Sequence, residues 1–205
     1  EANCGACGNA CVGAAVCQNG ACAEPTPFQV PIVDQGMHQA LTNEGHDPNS
    51  QNVVCGGYYE DLLPSPGPVH GFLVVDSANF PSTIVSARLR VLMTGWMQEN
   101  DATEFLQVWD VSTPVATLVA AGSPAPVIAD LGSGTLYANV PITQSLMGAS
   151  PFDIELNAAG VAALANANGL MAFGISFATP QADVNQAVQL SEHAGRNALV
   201  IMGFE

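Results

Sequence analysis

The residues of this chain that could do chemistry are six cysteines, four histidines and eighteen acids, set against three arginines and no lysine. Five of the cysteines, Cys4, Cys7, Cys11, Cys17 and Cys22, crowd the start at spacings C-x2-C-x3-C-x5-C-x4-C, interleaved with Gly5, Gly8, Gly13 and Gly20. Thiols so placed either cross-link a segment that has almost nothing to bury or, as thiolates, hold a metal such as zinc. Disulfides are the expectation, because the segment has a single C-x2-C and no histidine. Haem attachment is the weaker alternative still, because Gly8 stands where a histidine would follow Cys7. Five is odd, and the sixth cysteine, Cys55, lies beyond a proline-rich connection. The simplest even accounting bridges one head cysteine to Cys55 and staples the head to the rest, although six cysteines allow fifteen pairings. The alternative joins the leftover thiol to another chain.

Oxygen and imidazole are less ordered. Gln98 to Glu104 places the carboxylates of Glu99, Asp101 and Glu104 and an amide on one connection, and Asp47 with His46 and Asn49 forms a second polar turn. Oxygen donors on a turn suit calcium, but the regular alternation and central glycine of an EF-hand loop are missing, and crowded surface carboxylates are often simply solvated. His38, His46, His70 and His193 belong to no zinc-protease pattern, and no G-x-S-x-G, P-loop or dinucleotide fingerprint occurs. His70 opens an apolar run and reads as a hydrogen-bonding residue at a sheet end. Among the aromatics, Tyr58, Tyr59, Trp96, Trp109 and Tyr137 could make a flat sugar-stacking face. Trp109 falls in an alternating strand and is expected inside, which leaves Trp96, beside the acidic loop, with Tyr58 and Tyr59 as the surface set.

Composition narrows the partners. The formal charge is −15, 48% of residues are hydrophobic and only 10% are charged. A chain this apolar can bury a core, while the lack of basic clusters speaks against nucleic acid and anionic membrane surfaces. No apolar stretch approaches the ~18 residues of a membrane span. The chain starts at Glu1 with no leader pattern and reads as a processed, soluble protein.

The elements that must position these groups are mostly strands. Pro25 and Pro27 make residues 24–27 a stiff linker between a Cys-rich module, 1–23, and a main domain, 28–205. Strand-like segments are expected at 28–33, 52–55, 70–76, 83–93, 104–111, 115–120, 135–142, 151–156, 170–178 and 197–204. The clearest is Ser86 to Met93, with Arg88 and Arg90 on one face and Leu89, Val91 and Met93 on the other. One segment breaks the pattern: Asn157 can cap an alanine-rich run carrying Val161 and Leu164, with Gly169 placed to stop it. The expected fold is all-β, an antiparallel sandwich of jelly-roll type with one short helix and a disulfide-rich head.

Two resemblances accompany this reading. Asn3 to Cys11, N-C-G-A-C-G-N-A-C, followed by Cys17 to Cys22, C-Q-N-G-A-C, resembles modules in secreted and surface proteins of myxobacteria and related Gram-negative bacteria; it implies an extracytoplasmic address. Gly45 to Asn49, His70 to Asp76, Val85 to Leu92, Leu106 to Pro114, Ala129 to Tyr137 and Phe152 to Gly174 are similar to successive blocks of a secreted bacterial domain. That domain occurs in exported proteins, including ones with PEP-CTERM-type sorting tails. The resemblance implies a jelly-roll-like fold and no particular reaction.

The function expected is a non-catalytic extracellular structural or adhesive subunit, self-associating into a fibre or surface layer. Val30, Ile32 and Val33 near the start of the main domain would complete a neighbour's sheet, on a surface lacking the lysines that usually guard strand edges. The rival expectation is a polysaccharide-binding module assisted by Ca2+.

Overall fold

The computed structural model describes residues 4, 11, 15–18, 20–39, 51–58, 68–98, 102–120, 122, 125–148, 150–180, 186–191 and 194–205. Two head strands, β1 (Val16–Gln18) and β2 (Ala21–Ala23), form an antiparallel hairpin turned by Gly20 at φ +82°. A glycine accepts that left-handed backbone without strain. The main domain is a sandwich of two curled antiparallel sheets. The smaller runs β11 (Phe152–Glu155), β7 (Thr83–Val91), β14 (Ala198–Phe204), β3 (Thr26–Pro31). The larger runs β10 (Leu136–Thr143), β9 (Thr103–Asp110), β12 (Leu170–Phe177), β6 (Val69–Asp76), β5 (Val53–Tyr58), β13 (Gln186–Leu190), β8 (Met93–Gln98), with β4 (Asp34–Gln39) also paired to β6.

Strand alternation decides what fills the space between the sheets. In β7, Ala87, Leu89 and Val91 turn inward while Arg88 and Arg90 turn out, where both guanidiniums reach Asp153 of β11 at 2.9 and 2.8 Å. The smaller sheet adds Val30, Ile154, Leu199 and Ile201; the larger sheet answers with Leu73, Val75, Leu106, Val108, Phe173 and Ile175. Burial of side chains of this size contributes roughly 1.5–3 kcal/mol each and dominates the fold's stability. The C-terminal strand lies between β7 and β3, inside its own sheet.

The described residues hold three short α-helices where one was expected. The expected helix is α3 (Ala158–Ala165), capped by Asn157 Oδ1, which accepts from the Ala159 and Gly160 amides at 2.9 and 3.1 Å. It ends at Asn166, and Gly169 takes its positive φ three residues later, with its amide donating to Ser77 Oγ at 2.8 Å. The segment 115–120, read as a strand, instead forms α1 (Val115–Leu118), and α2 (Ala125–Leu131) follows it. A short apolar run satisfies either period, and here the helical one wins because Leu118, Val127 and Leu131 cover Phe72, Val74 and Ala172 on the outer face of the larger sheet. Close approach is possible because β12 offers Gly174: a Cβ there would run into the Leu131 carbonyl.

The sheets exchange strands at one corner. The chain passes from β3 to β4 through Ile32 and Val33, from β7 to β8 through Leu92, and from β13 to β14 through 191–197. A buried polar cluster ties these passages together. Asn197 Oδ1 accepts from the Leu92 amide at 3.2 Å, and its Nδ2 donates to Gln35 Oε1 at 3.0 Å and to the Ser191 carbonyl at 3.1 Å. Gln35 Nε2 donates in turn to the carbonyls of Ser191 and Gln51, both at 2.7 Å. Asn197→Ala would strand the Leu92 amide and the Gln35 amide oxygen in a buried site, each worth roughly 1–3 kcal/mol when left unmade. Urea unfolding of Asn197→Ala is therefore expected to show a loss of about 3 kcal/mol, against less than ~0.5 kcal/mol for the exposed Gln29→Ala.

Candidate functional site

The described head is held by Cys4–Cys17 and Cys11–Cys22. Cys17 and Cys22 are directly opposite in the β1–β2 hairpin, yet each bonds to a cysteine earlier in the chain, so the hairpin is strapped once to Cys4 and once to Cys11. The sulfurs of Cys4, Cys11 and Cys22 lie within 4.8 Å of one another because the two bridges pack side by side. Joined as disulfides, they are not the thiolates that a zinc site requires. Cys7 lies outside the described residues.

The expected staple from the head to Cys55 is not made. Cys55 is a free thiol on β5, fully buried in the sandwich core. Alternation along β5 turns its side chain inward with Val53, where the contact with the Val188 carbonyl is only 3.9 Å and burial pushes the thiol far above its ordinary pKa. A thiol so protonated and enclosed is inert.

Of the proposed oxygen ligands, Glu104 alone lies among the described residues. Glu99, Asp101 and Asp47 lie outside the described residues, as do His46 and His193. Glu104 leaves the loop altogether: it is buried on the inner face of β9 in phase with Leu106 and Val108, and Gln186 Nε2 donates to its Oε1 at 2.8 Å. Asp130 is also structural. Burial would raise its pKa, but hydrogen bonds from Ser112 and Thr113 outweigh that and hold the carboxyl lower than usual. It accepts from the Ser112 hydroxyl at 2.6 Å and from the amides of Ser112 and Thr113 at 2.9 and 2.7 Å, fastening the turn that leads into α1. Asp153 is lowered chiefly by its hydrogen bond from Arg90.

The aromatic expectations are reordered. Trp96 on β8 is half-buried and packs against the core, while Trp109, expected inside, stands half-buried on the outer face of β9 with its ring N–H donating to Ser176 Oγ at 2.9 Å. Putting Leu106 and Val108 inside leaves no other phase for Trp109. Tyr137 is buried edge-on to Phe173 at 6.3 Å, and its hydroxyl pKa is raised by burial and by Asp110. The Tyr58 side chain and Tyr59 lie outside the described set. Val30 and Ile32 are core residues; of that predicted patch only Val33 is exposed.

Two clefts flank the end of α3. The larger, about 350 Å3, is walled by Val111, Pro114, Val115, Leu170 and Met171, with Ser112, Thr113 and Asn168 as its polar groups. The smaller, about 170 Å3, presents Ser77 and Ser82 beside Phe80 and Ile84. No residue lining either cleft has a titratable side chain. Neither therefore offers the acid and base that proton-transfer catalysis needs.

His70 makes the hydrogen bond expected of it, but sequence reasoning missed that it pairs with His38 beneath α1 and α2. His38 and His70 are opposite one another across β4 and β6. His38 Nε2 donates to the Leu118 carbonyl and His70 Nδ1 to that of Ile128, both at 2.8 Å, so each ring clamps one helix to the sheet. A carbonyl only accepts, which fixes the proton on the bonded nitrogen. The only sequence signal is a histidine within each strand's polar or apolar run. No family model and no curated protein matches this chain.

Burial lowers the His70 pKa, a shift only partly offset by its hydrogen bond to Ile128. The unfolded chain then binds the extra proton more readily than the folded one, so stability is complete above the ordinary histidine value of ~6.5 and falls as pH drops below it, levelling beneath the folded value. Urea midpoints measured between about pH 7.5 and 5 should fall in the parent and fall less in His70→Asn, whose amide can still donate to Ile128.

Proposed function

We propose that this chain is a non-catalytic structural or adhesive protein, exported by a Gram-negative cell to its surface, whose copies are joined covalently through Cys7. The sulfur accounting carries the reading. Four cysteines are joined in two pairs and Cys55 is sealed in the core, so among the described residues no cysteine is left to pair with Cys7. A head held by disulfides belongs to an oxidising compartment, where a leftover thiol finds a partner in another chain.

Sheet edges support association less than sulfur does. β3 is an edge strand, but it carries Pro27 and Pro31 in the same phase as Gln29. Proline is accommodated in a sheet where its missing donor would face away from the partner strand, so of these three residues only Gln29 offers an outward N–H. That edge is a poor template for a neighbour's strand. Non-reducing electrophoresis of the oxidised protein is expected to show a covalent dimer that reductant dissolves and Cys7→Ser abolishes. A monomer under every condition, confirmed by light scattering at high concentration, would overturn the proposal.

A further inference from the structure

The larger sheet is covered on its outer face by α1 and α2 over β6 and β12, and α2 also reaches β9, whose remaining outward residues lie beside β10. There, alternation places Thr103, Phe105, Gln107 and Trp109 outward on β9, and the register sets Asn139 opposite Gln107 and Pro141 opposite Phe105. Phe105 is 46% exposed, Asn139 and Pro141 are exposed, and Gln107 and Trp109 are half-buried. Phe105 is thus an exposed ring on a strand that carries a second, half-buried aromatic four residues on.

We propose that this face binds an uncharged polysaccharide. The apolar C–H face of a sugar ring stacks on the negative π-face of an aromatic ring, and its hydroxyls exchange hydrogen bonds with amides that both donate and accept. Phe105 and Trp109 supply the rings and Gln107 with Asn139 the amides. The Trp109 ring is already oriented by its 2.9 Å bond to Ser176, itself buried beside it, so little freedom is lost on binding. Charge selects the class of ligand. No side chain from Thr103 through Trp109 on this face, nor Asn139 or Pro141 facing it, is ionisable, while the whole chain bears −15. An anionic polymer would meet a repelling field with no cation among the described residues of this face to offset it, and a polycation would find no carboxylate among them. A neutral chain meets neither obstacle. Four residues apart on one strand, the two rings stand about 13 Å from each other at ~3.4 Å per residue, so a ligand reaching both must be longer than one sugar ring.

The assembly reading is not needed for this inference, and the test uses Cys7→Ser protein so that the two can fail separately. With Trp96→Phe added, Trp109 is the single tryptophan and reports on the face alone. Retention is measured on cellulose, chitin, starch and a β-1,3-glucan, with alginate and heparin as anionic comparisons. At least one uncharged polymer is expected to retain the protein and shift the Trp109 emission, with its oligosaccharides binding more tightly than its monosaccharide. Phe105→Ala, an exposed truncation that leaves the fold intact, should weaken retention at least tenfold, and Gln107→Ala or Asn139→Ala several-fold. Retention by none of the uncharged polymers, retention by the anionic ones alone, or undiminished binding in Phe105→Ala and Gln107→Ala would each overturn the proposal.

Discussion

The amide cluster at the crossing corner is the constraint on which the sandwich depends. Three passages between the sheets converge there, and although the Val33 and Ser191 amides find the carbonyls of Val74 and Leu92, other backbone groups there need side-chain partners. Asn197 and Gln35 supply them, meeting the Leu92 amide and the carbonyls of Ser191 and Gln51 from side chains that are themselves buried. Buried amides are costly unless every lone pair and proton is engaged, and a fully engaged cluster specifies one arrangement of the chain over its neighbours. The apolar layer between the sheets gives the sandwich its stability; the corner gives it a unique connectivity.

Each outer face of the sandwich has its own solution. The smaller sheet is screened by Arg88 and Arg90 lying over β7 toward Asp153, which occupies two of the chain's three positive charges in a local ion pair. The larger sheet is roofed by two short helices, each held by a histidine as well as by apolar contact. The clamps matter because helices of four and seven residues cannot persist alone. Along the β9–β10 strip the outward side chains among the described residues are uncharged.

The sequence was legible where a local pattern suffices. Alternation in β7, the asparagine cap of α3 and the clustering of head cysteines each follow from neighbours a few residues apart. What escaped depends on distant partners. β4, Asp-Gln-Gly-Met-His-Gln, has no apolar period, and it is a buried strand only because Ser191, Asn197 and Leu118 accept its polar side chains or donate to them. The phase of β9 was equally undetermined: placing Leu106 and Val108 inside buries Glu104, which becomes tolerable once Gln186 is opposite, and that pairing spans 82 residues. Cys55 was misread for the same reason, since counting thiols cannot say which one the core encloses.

The enclosed thiol also imposes an order of events on maturation. In a chain made from its amino terminus, the cysteines of the head reach an oxidant before Cys55 does, and Cys55 is itself open to exchange until β5 has been covered by β13 and by the opposing sheet. Closure of the sandwich thus acts as chemical protection: it withdraws one sulfur from the pool and removes the mispaired isomers that would tether the knob to the wrong strand. Burial in the closed sandwich keeps Cys55 out of exchange with the head cysteines.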